Sequence, residues 1–176
     1  MPRLAYVPMD LAEPADLVEA VRKRRGGAFS SLDRLLLHSP PLTRGWNYYL
    51  NQVRTQMTLD PKLRELGMCG VAVVNRAEYE FQGHLPEFLK HGGTQAQADA
   101  LRDADAAAKN TTLFNAAERA TIQLTIEMTR NVQVSDATFA AAKAALPTEQ
   151  ALVELIGTIA TYNMVSRFLV ALDLHG

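Results

Sequence analysis

Between Asp60 and Asn75 the chain carries a helix that has to be enclosed by protein. Asp60-Pro61 is a strong start: the carboxylate can cap amides that have no intrahelical partner, and a proline at the first helical position lacks only a donor that would have gone unused. The second half, Gly67-Met68-Cys69-Gly70-Val71-Ala72-Val73-Val74, is apolar on every side, so no face of it suits water. Gly67 and Gly70 lower helix propensity there, and the expected return is close backbone contact with a neighbouring helix or subunit.

The segments available to surround that helix are helical too. Pro14 to Arg25 places Leu17, Val18 and Val21 on one side, and Ser31 to Leu37 begins with a good cap followed by Leu32, Leu35 and Leu36. Pro40-Pro41 then leads into an aromatic-rich helix through Trp46, Tyr49, Leu50 and Val53 that ends near Met57. Arg76 to Lys90 carries Phe81, Leu85 and Phe88 at helical spacing and stops at His91-Gly92-Gly93; Thr94 caps a short helix through Leu101. Asp103 to Thr112 is polar and patternless and reads as a loop. Asn115 with Glu118 resembles a capping box that opens a helix to Arg130. Ser135 or Asp136 caps an alanine-rich helix to Leu146, and Thr148 to Leu174 aligns Leu152, Leu155, Ile156, Ile159, Leu169 and Leu172 along one broad face. Strand signals are almost absent, so the expectation is an all-α fold in a single domain over residues 1–176.

Charge and composition narrow the function. Eighteen basic against nineteen acidic residues give a net charge of −1, so no global field attracts nucleic acid or an anionic membrane. The locally basic Arg22-Lys23-Arg24-Arg25 precedes Gly26-Gly27 and reads as a solvated helix end, where cations meet the negative pole of the helix, in preference to a phosphate site. One cysteine excludes an intrachain disulfide. No apolar run reaches the roughly 18 residues of a membrane span, and Met1-Pro2-Arg3 does not open a signal peptide, so a cytoplasmic location is expected.

His84 is where acid–base chemistry can be sought. It falls inside the apolar stripe of Arg76 to Lys90, one turn after Glu80. An imidazole among apolar neighbours and carboxylates can be tuned to donate or accept protons near neutral pH; the alternative is a core histidine satisfied by one hydrogen bond. His38, His91 and His175 stand near helix ends, where the helix dipole or solvent accounts for them.

A run of short motifs in order, Ser39-Pro40 before Trp46, Arg64-Glu65-Leu66, Glu78-Tyr79-Glu80 ahead of His84, Gly92-Gly93, and Tyr162-Asn163 with Arg167, resembles the carboxymuconolactone decarboxylase family within the alkylhydroperoxidase D-like superfamily, over nearly the whole chain. The resemblance implies about six to eight helices, a homo-oligomer (dimer, trimer or hexamer), and an active site lined by the two central helices. The peroxidase branch of that superfamily carries Cys-x-x-Cys-x-x-x-His with a glutamate on the preceding helix. Here Ala77 and Glu80 occupy the two thiol positions and Glu65 that of the glutamate, so dithiol peroxidase chemistry lacks both of its sulfurs.

The decarboxylase branch implies cofactor-free acid–base catalysis on a small organic acid or lactone, with His84 as proton donor or shuttle. Glu80 could hold the second imidazole nitrogen, or be an ordinary i,i+4 surface partner. Glu65 could share a proton relay, or pair with an arginine. Asn163 and Arg167, one turn apart, are candidates for substrate binding, the arginine gripping a carboxylate, or equally pairing Glu65 or a C-terminal carbonyl. Trp46 and Tyr79 could line the substrate pocket, although Trp46, with Tyr48 and Tyr49, also suits a core or interface. Cys69 lies one turn past Glu65, which keeps a one-cysteine peroxidase open as an alternative, but Met68 and Gly70 beside it favour simple packing; a non-catalytic helical oligomer that retains the fold is the second alternative. A zinc, iron or manganese site from His84, Glu80 and Glu65 would have a single histidine, and neither metal nor cofactor is expected.

Overall fold

The computed structural model describes residues 2–174; His175, named above, lies outside the described residues. Among these are ten helices and no strand: α1 (Ala15–Arg24), α2 (Ser31–Leu36), α3 (Pro40–Thr55), α4 (Pro61–Val74), α5 (Glu78–Lys90), α6 (Gln95–Leu101), α7 (Ala104–Ala107), α8 (Ala116–Arg130), α9 (Asp136–Ala145) and α10 (Glu149–Ala171). The number exceeds the six to eight implied by resemblance because α2 and α7 are short elements of six and four residues.

α4 is the axis. Every residue from Leu63 to Ala72 is buried, and the helix packs against α5, α8 and α10. Asp60 caps it by accepting from the Lys62 and Leu63 amides, with Pro61 at the first position. The approach to α8 is close at Gly70, where an added Cβ would come within 3.2 Å of Thr125 Cγ2; Gly67 would meet only ordinary contacts with α10 and α8, the nearest Leu155 Cδ1 at 3.5 Å.

A tight turn carries α4 into α5. Ala77 N–H donates to the Ala72 carbonyl and Arg76 N–H to that of Val73, while Arg76 adopts φ +56°: the paired bonds that close a helix through a left-handed residue, with an arginine where glycine is usual. The same closure ends α5, where Gly92 has φ +93° and Gly93 N–H reaches the Phe88 carbonyl. α5 therefore folds straight back along α4. Pro86 sits inside α5, two residues past His84, and gives the Gln82 carbonyl no amide to bond.

Three local expectations need correction. α2 is capped by Ser30 rather than Ser31, with Asp33 completing a capping box. The stretch from Asp103 to Thr112 is not all loop: Asp103 caps α7, which buries Ala104 and Ala107. The basic end of α1 is no merely solvated terminus, because Arg24 and Arg25 both pair with the buried Asp33, at 2.6 and 2.9 Å. These pairs tie α1 and α2 together beside a small apolar cluster of Val7, Leu17, Val18, Val21, Phe29 and Leu37, separate from the main core. No helix among the described residues is long and apolar enough to cross a membrane.

Candidate active site

The antiparallel return of α5 along α4 brings Glu65 against His84. The imidazole Nδ1 lies 2.8 Å from Glu65 Oε2, and the ring meets the edge of Tyr162 at 4.8 Å between centroids and 87° between planes. Glu65 is enclosed, its side chain 5% exposed, and His84 keeps 15%. Arg64 Nε donates to Glu65 Oε1 at 3.3 Å, so both carboxylate oxygens are engaged.

Charge states follow from those contacts. Burial works to raise the Glu65 carboxyl, but the hydrogen bond and charge of His84 and then of Arg64 outweigh it, and the group is held below the usual glutamate range. Burial pushes His84 below the ordinary imidazole value, and Glu65 offsets this only in part. Near neutrality the pair is thus a carboxylate beside a neutral imidazole. A carboxylate can only accept, so Nδ1 carries the proton, and Nε2, without a partner among the described residues, keeps a free lone pair.

His84 and Glu65 open onto a cleft of 630 Å³ whose walls include Tyr79 and Glu80 as well as Arg25, Arg54 and Arg64. Arg54 projects from α3, donates through Nε to the Tyr162 hydroxyl at 2.8 Å, and has no ion-pair partner among the described residues. A half-buried guanidinium with its outer nitrogens uncommitted is a receptor for a planar anion. Arg25 contributes from the end of α1, its Nε held by Asp33. Sequence reading passed over Arg54, Arg25 and the ring of Tyr162 as parts of the site. The one legible signal was Arg54 at the end of an amphipathic helix, which reads equally as a solvated cation.

The other candidates are placed as follows. Glu80 is 3% exposed and lines the cleft, but its carboxyl turns to α10, where Ser166 Oγ donates to Oε2 at 2.7 Å, instead of holding the second nitrogen of His84. Burial raises Glu80 to about 8 against the lowering effects of Ser166 and Arg54. Arg167 does not reach Glu65. It bonds the carbonyl and side-chain oxygen of Asn163, and Asn163 is further bonded to Thr129 and Asn75; Arg167 borders a separate cavity of 280 Å³. Trp46 is buried against Phe168, with centroids 5.2 Å apart, outside the cleft wall. Cys69 is buried, and desolvation, reinforced by the charges of Glu65 and Glu80, pushes its thiol far above its ordinary value, so it is a protonated packing group rather than a thiolate nucleophile.

Comparison with known proteins agrees with this architecture. Residues 40–123, from α3 into α8, match the carboxymuconolactone decarboxylase family. No curated protein matches the sequence. Among solved structures, the chain is similar to an alkylhydroperoxidase AhpD core, an uncharacterized peroxidase-related protein from Ralstonia eutropha JMP134, at a TM-score of 0.80 and 16% identity, with 99% of this chain and 91% of that one covered. An uncharacterized peroxidase-related protein from Silicibacter sp. TM1040 gives 0.78 and 14%, covering 98% and 89%. A cysteine-to-alanine variant of the debrominase Bmp8, in complex with 2,3,4-tribromopyrrole, gives 0.77 and 14%, covering 97% and 90%. At these identities the structural likeness is one of fold. The family match spans the helices that hold Glu65 and His84, so this stretch of the chain is similar to the carboxymuconolactone decarboxylase family, and the whole chain shares the alkylhydroperoxidase D-like fold, without a Cys-x-x-Cys pair.

Proposed function

We propose that the protein is a cofactor-free acid–base enzyme, a decarboxylase or isomerase of a small unsaturated organic acid or lactone. The observation that carries this reading is the Glu65–His84 pair at 2.8 Å, with Nε2 free at a cleft lined by three arginines. His84 acts as proton acceptor. Glu65 fixes its tautomer and stabilises the imidazolium that forms, and the hydrogen bond from His84, aided by Arg64, keeps Glu65 ionised. This reverses the role of proton donor that resemblance implied for His84, because a neutral imidazole whose one proton is bound to Glu65 has none to give. Arg54 binds the substrate carboxylate, oriented by Tyr162, and Tyr79 lines the wall. A peroxidase using Cys69 is disfavoured by the burial of its thiol.

A screen of unsaturated lactone acids, scoring carbon dioxide release and isomer formation with His84→Ala as control, tests the reading. Turnover is expected in the wild type and a fall of about 10²–10⁴ in the variant. Equal rates in both would remove His84 from the mechanism. We infer as well that copies of the chain associate through α10, where Val153, Ala160 and Met164 share one exposed side.

A further inference from the structure

Glu80 has no task in the mechanism above, yet it is the most buried carboxyl in the cleft wall. Ser166 Oγ satisfies Oε2, whereas Oε1 is fully buried with no hydrogen-bond partner among the described residues. A carboxylate with one bare oxygen in such a place bears a desolvation penalty that a neutral carboxylic acid escapes.

The groups around it do little to favour the charge. α4 presents Cys69, held as the thiol, and Glu65, held as the anion; α10 presents Tyr162 and Ser166; His84, neutral, lies one turn on along α5. The single cation acting on it is Arg54 from α3, which spends its Nε on Tyr162 and makes no hydrogen bond to Glu80. Neutral, Glu80 would accept from Ser166 at Oε2 and carry its own O–H at Oε1, a donor with no acceptor in the protein.

We propose that Glu80 is the proton donor of the cleft: its carboxyl, in the cleft wall and anchored through Oε2 on Ser166, shifts when substrate binds so that the buried Oε1 meets the cavity and hands a proton to the carbanionic carbon, while the Glu65–His84 pair serves as acceptor. This rests on the acid–base reading given above. In a decarboxylation the C–C bond to the carboxylate breaks, carbon dioxide leaves, the electron pair stays on carbon as an enolate, and Glu80 supplies the proton; the carboxylate left behind recovers one from water. In an isomerisation His84 Nε2 takes one proton, Glu80 gives another to a different carbon, and exchange with solvent resets both. Two groups with opposite resting states suit the two directions of transfer.

Infrared difference titration of the full chain gives a readout that needs no substrate. The wild type is expected to show a protonated-carboxyl band at pH 7 that disappears with a midpoint near 8 and is absent from Glu80→Gln. Ser166→Ala should move that midpoint upward, because the serine hydroxyl favours the ionised form. On a lactone acid that the wild type turns over, kcat should fall through the same alkaline midpoint, and Glu80→Gln, which can still accept from Ser166 but cannot release a proton, should lose about 10²–10⁴-fold. An ionised Glu80 at pH 7, or Glu80→Gln turning over at the wild-type rate, overturns the proposal. Failure of the acid–base reading is told apart by a wild type that turns over no lactone acid at all; the proposal, resting on it, then falls with it, whatever the band shows.

Discussion

A hydrogen bond of 2.8 Å to one carboxylate oxygen sets both the tautomer and the basicity of His84, and that makes Glu65 open to a pH test. The base is active when neutral, so activity should fall as pH drops through a pKa lying below the ordinary 6.5. Glu65 opposes that depression. Glu65→Gln should therefore shift the acid limb to lower pH while cutting kcat by about 10²–10⁴, since the amide can still accept from Nδ1 but no longer compensates the imidazolium. A pH–rate profile checks both, and an acid limb that moved upward would contradict the assignment of Glu65 as the group raising His84. Glu65 and His84 were legible in the sequence because each interrupts an apolar helical pattern with a polar group that must find a partner inside. Glu80 was half legible. Its i,i+4 spacing suggested a bond to His84, but spacing along one helix is silent about Ser166, 86 residues away, which takes the carboxyl instead. Arg54 was hidden for the same reason: its neighbours in the cleft are supplied by α4, α5 and α10.

At the scale of elements, the α4–α5 connection is the part on which the site depends. Its left-handed residue is Arg76, exposed and at φ +56°, a conformation that costs a residue with a Cβ about 1–2 kcal/mol relative to glycine. Arg76→Gly should raise stability by up to about 1 kcal/mol, the remainder being offset by the greater freedom of glycine in the unfolded chain, with activity retained. Denaturant midpoints measure this, and a fall would mean that the arginine side chain contributes contacts exceeding its strain. Most elements were readable from the sequence because their limits are chemical: Asp60-Pro61, Thr94, Asn115 with Glu118, Ser135 and Thr148 all cap helices. α7 was missed because one turn of helix leaves no periodicity, and Ala104 and Ala107 are too small to stand out as core residues.

For the whole molecule, α10 raises the question of assembly. It is 23 residues long and buries Leu155, Ile159, Tyr162 and Leu169 against the bundle, yet leaves Val153 and Met164 66% and 42% exposed. If copies meet there, sedimentation of the wild type should show a species heavier than 19.4 kDa, and a Val153→Lys, Met164→Lys double variant should sediment as the lighter form. A wild type that is monomeric at working concentrations would set the face aside as ordinary surface. The encirclement of α4 has a different consequence. Its amides, buried on every side, are expected to open last, so the carboxylate of the acceptor pair is mounted where thermal agitation arrives latest. Warming can loosen Arg25, the one cation that α1 brings to the rim, well before it disturbs Glu65, and a molecule heated short of melting would keep Arg54 and the acceptor carboxylate in place after that outer charge had gone.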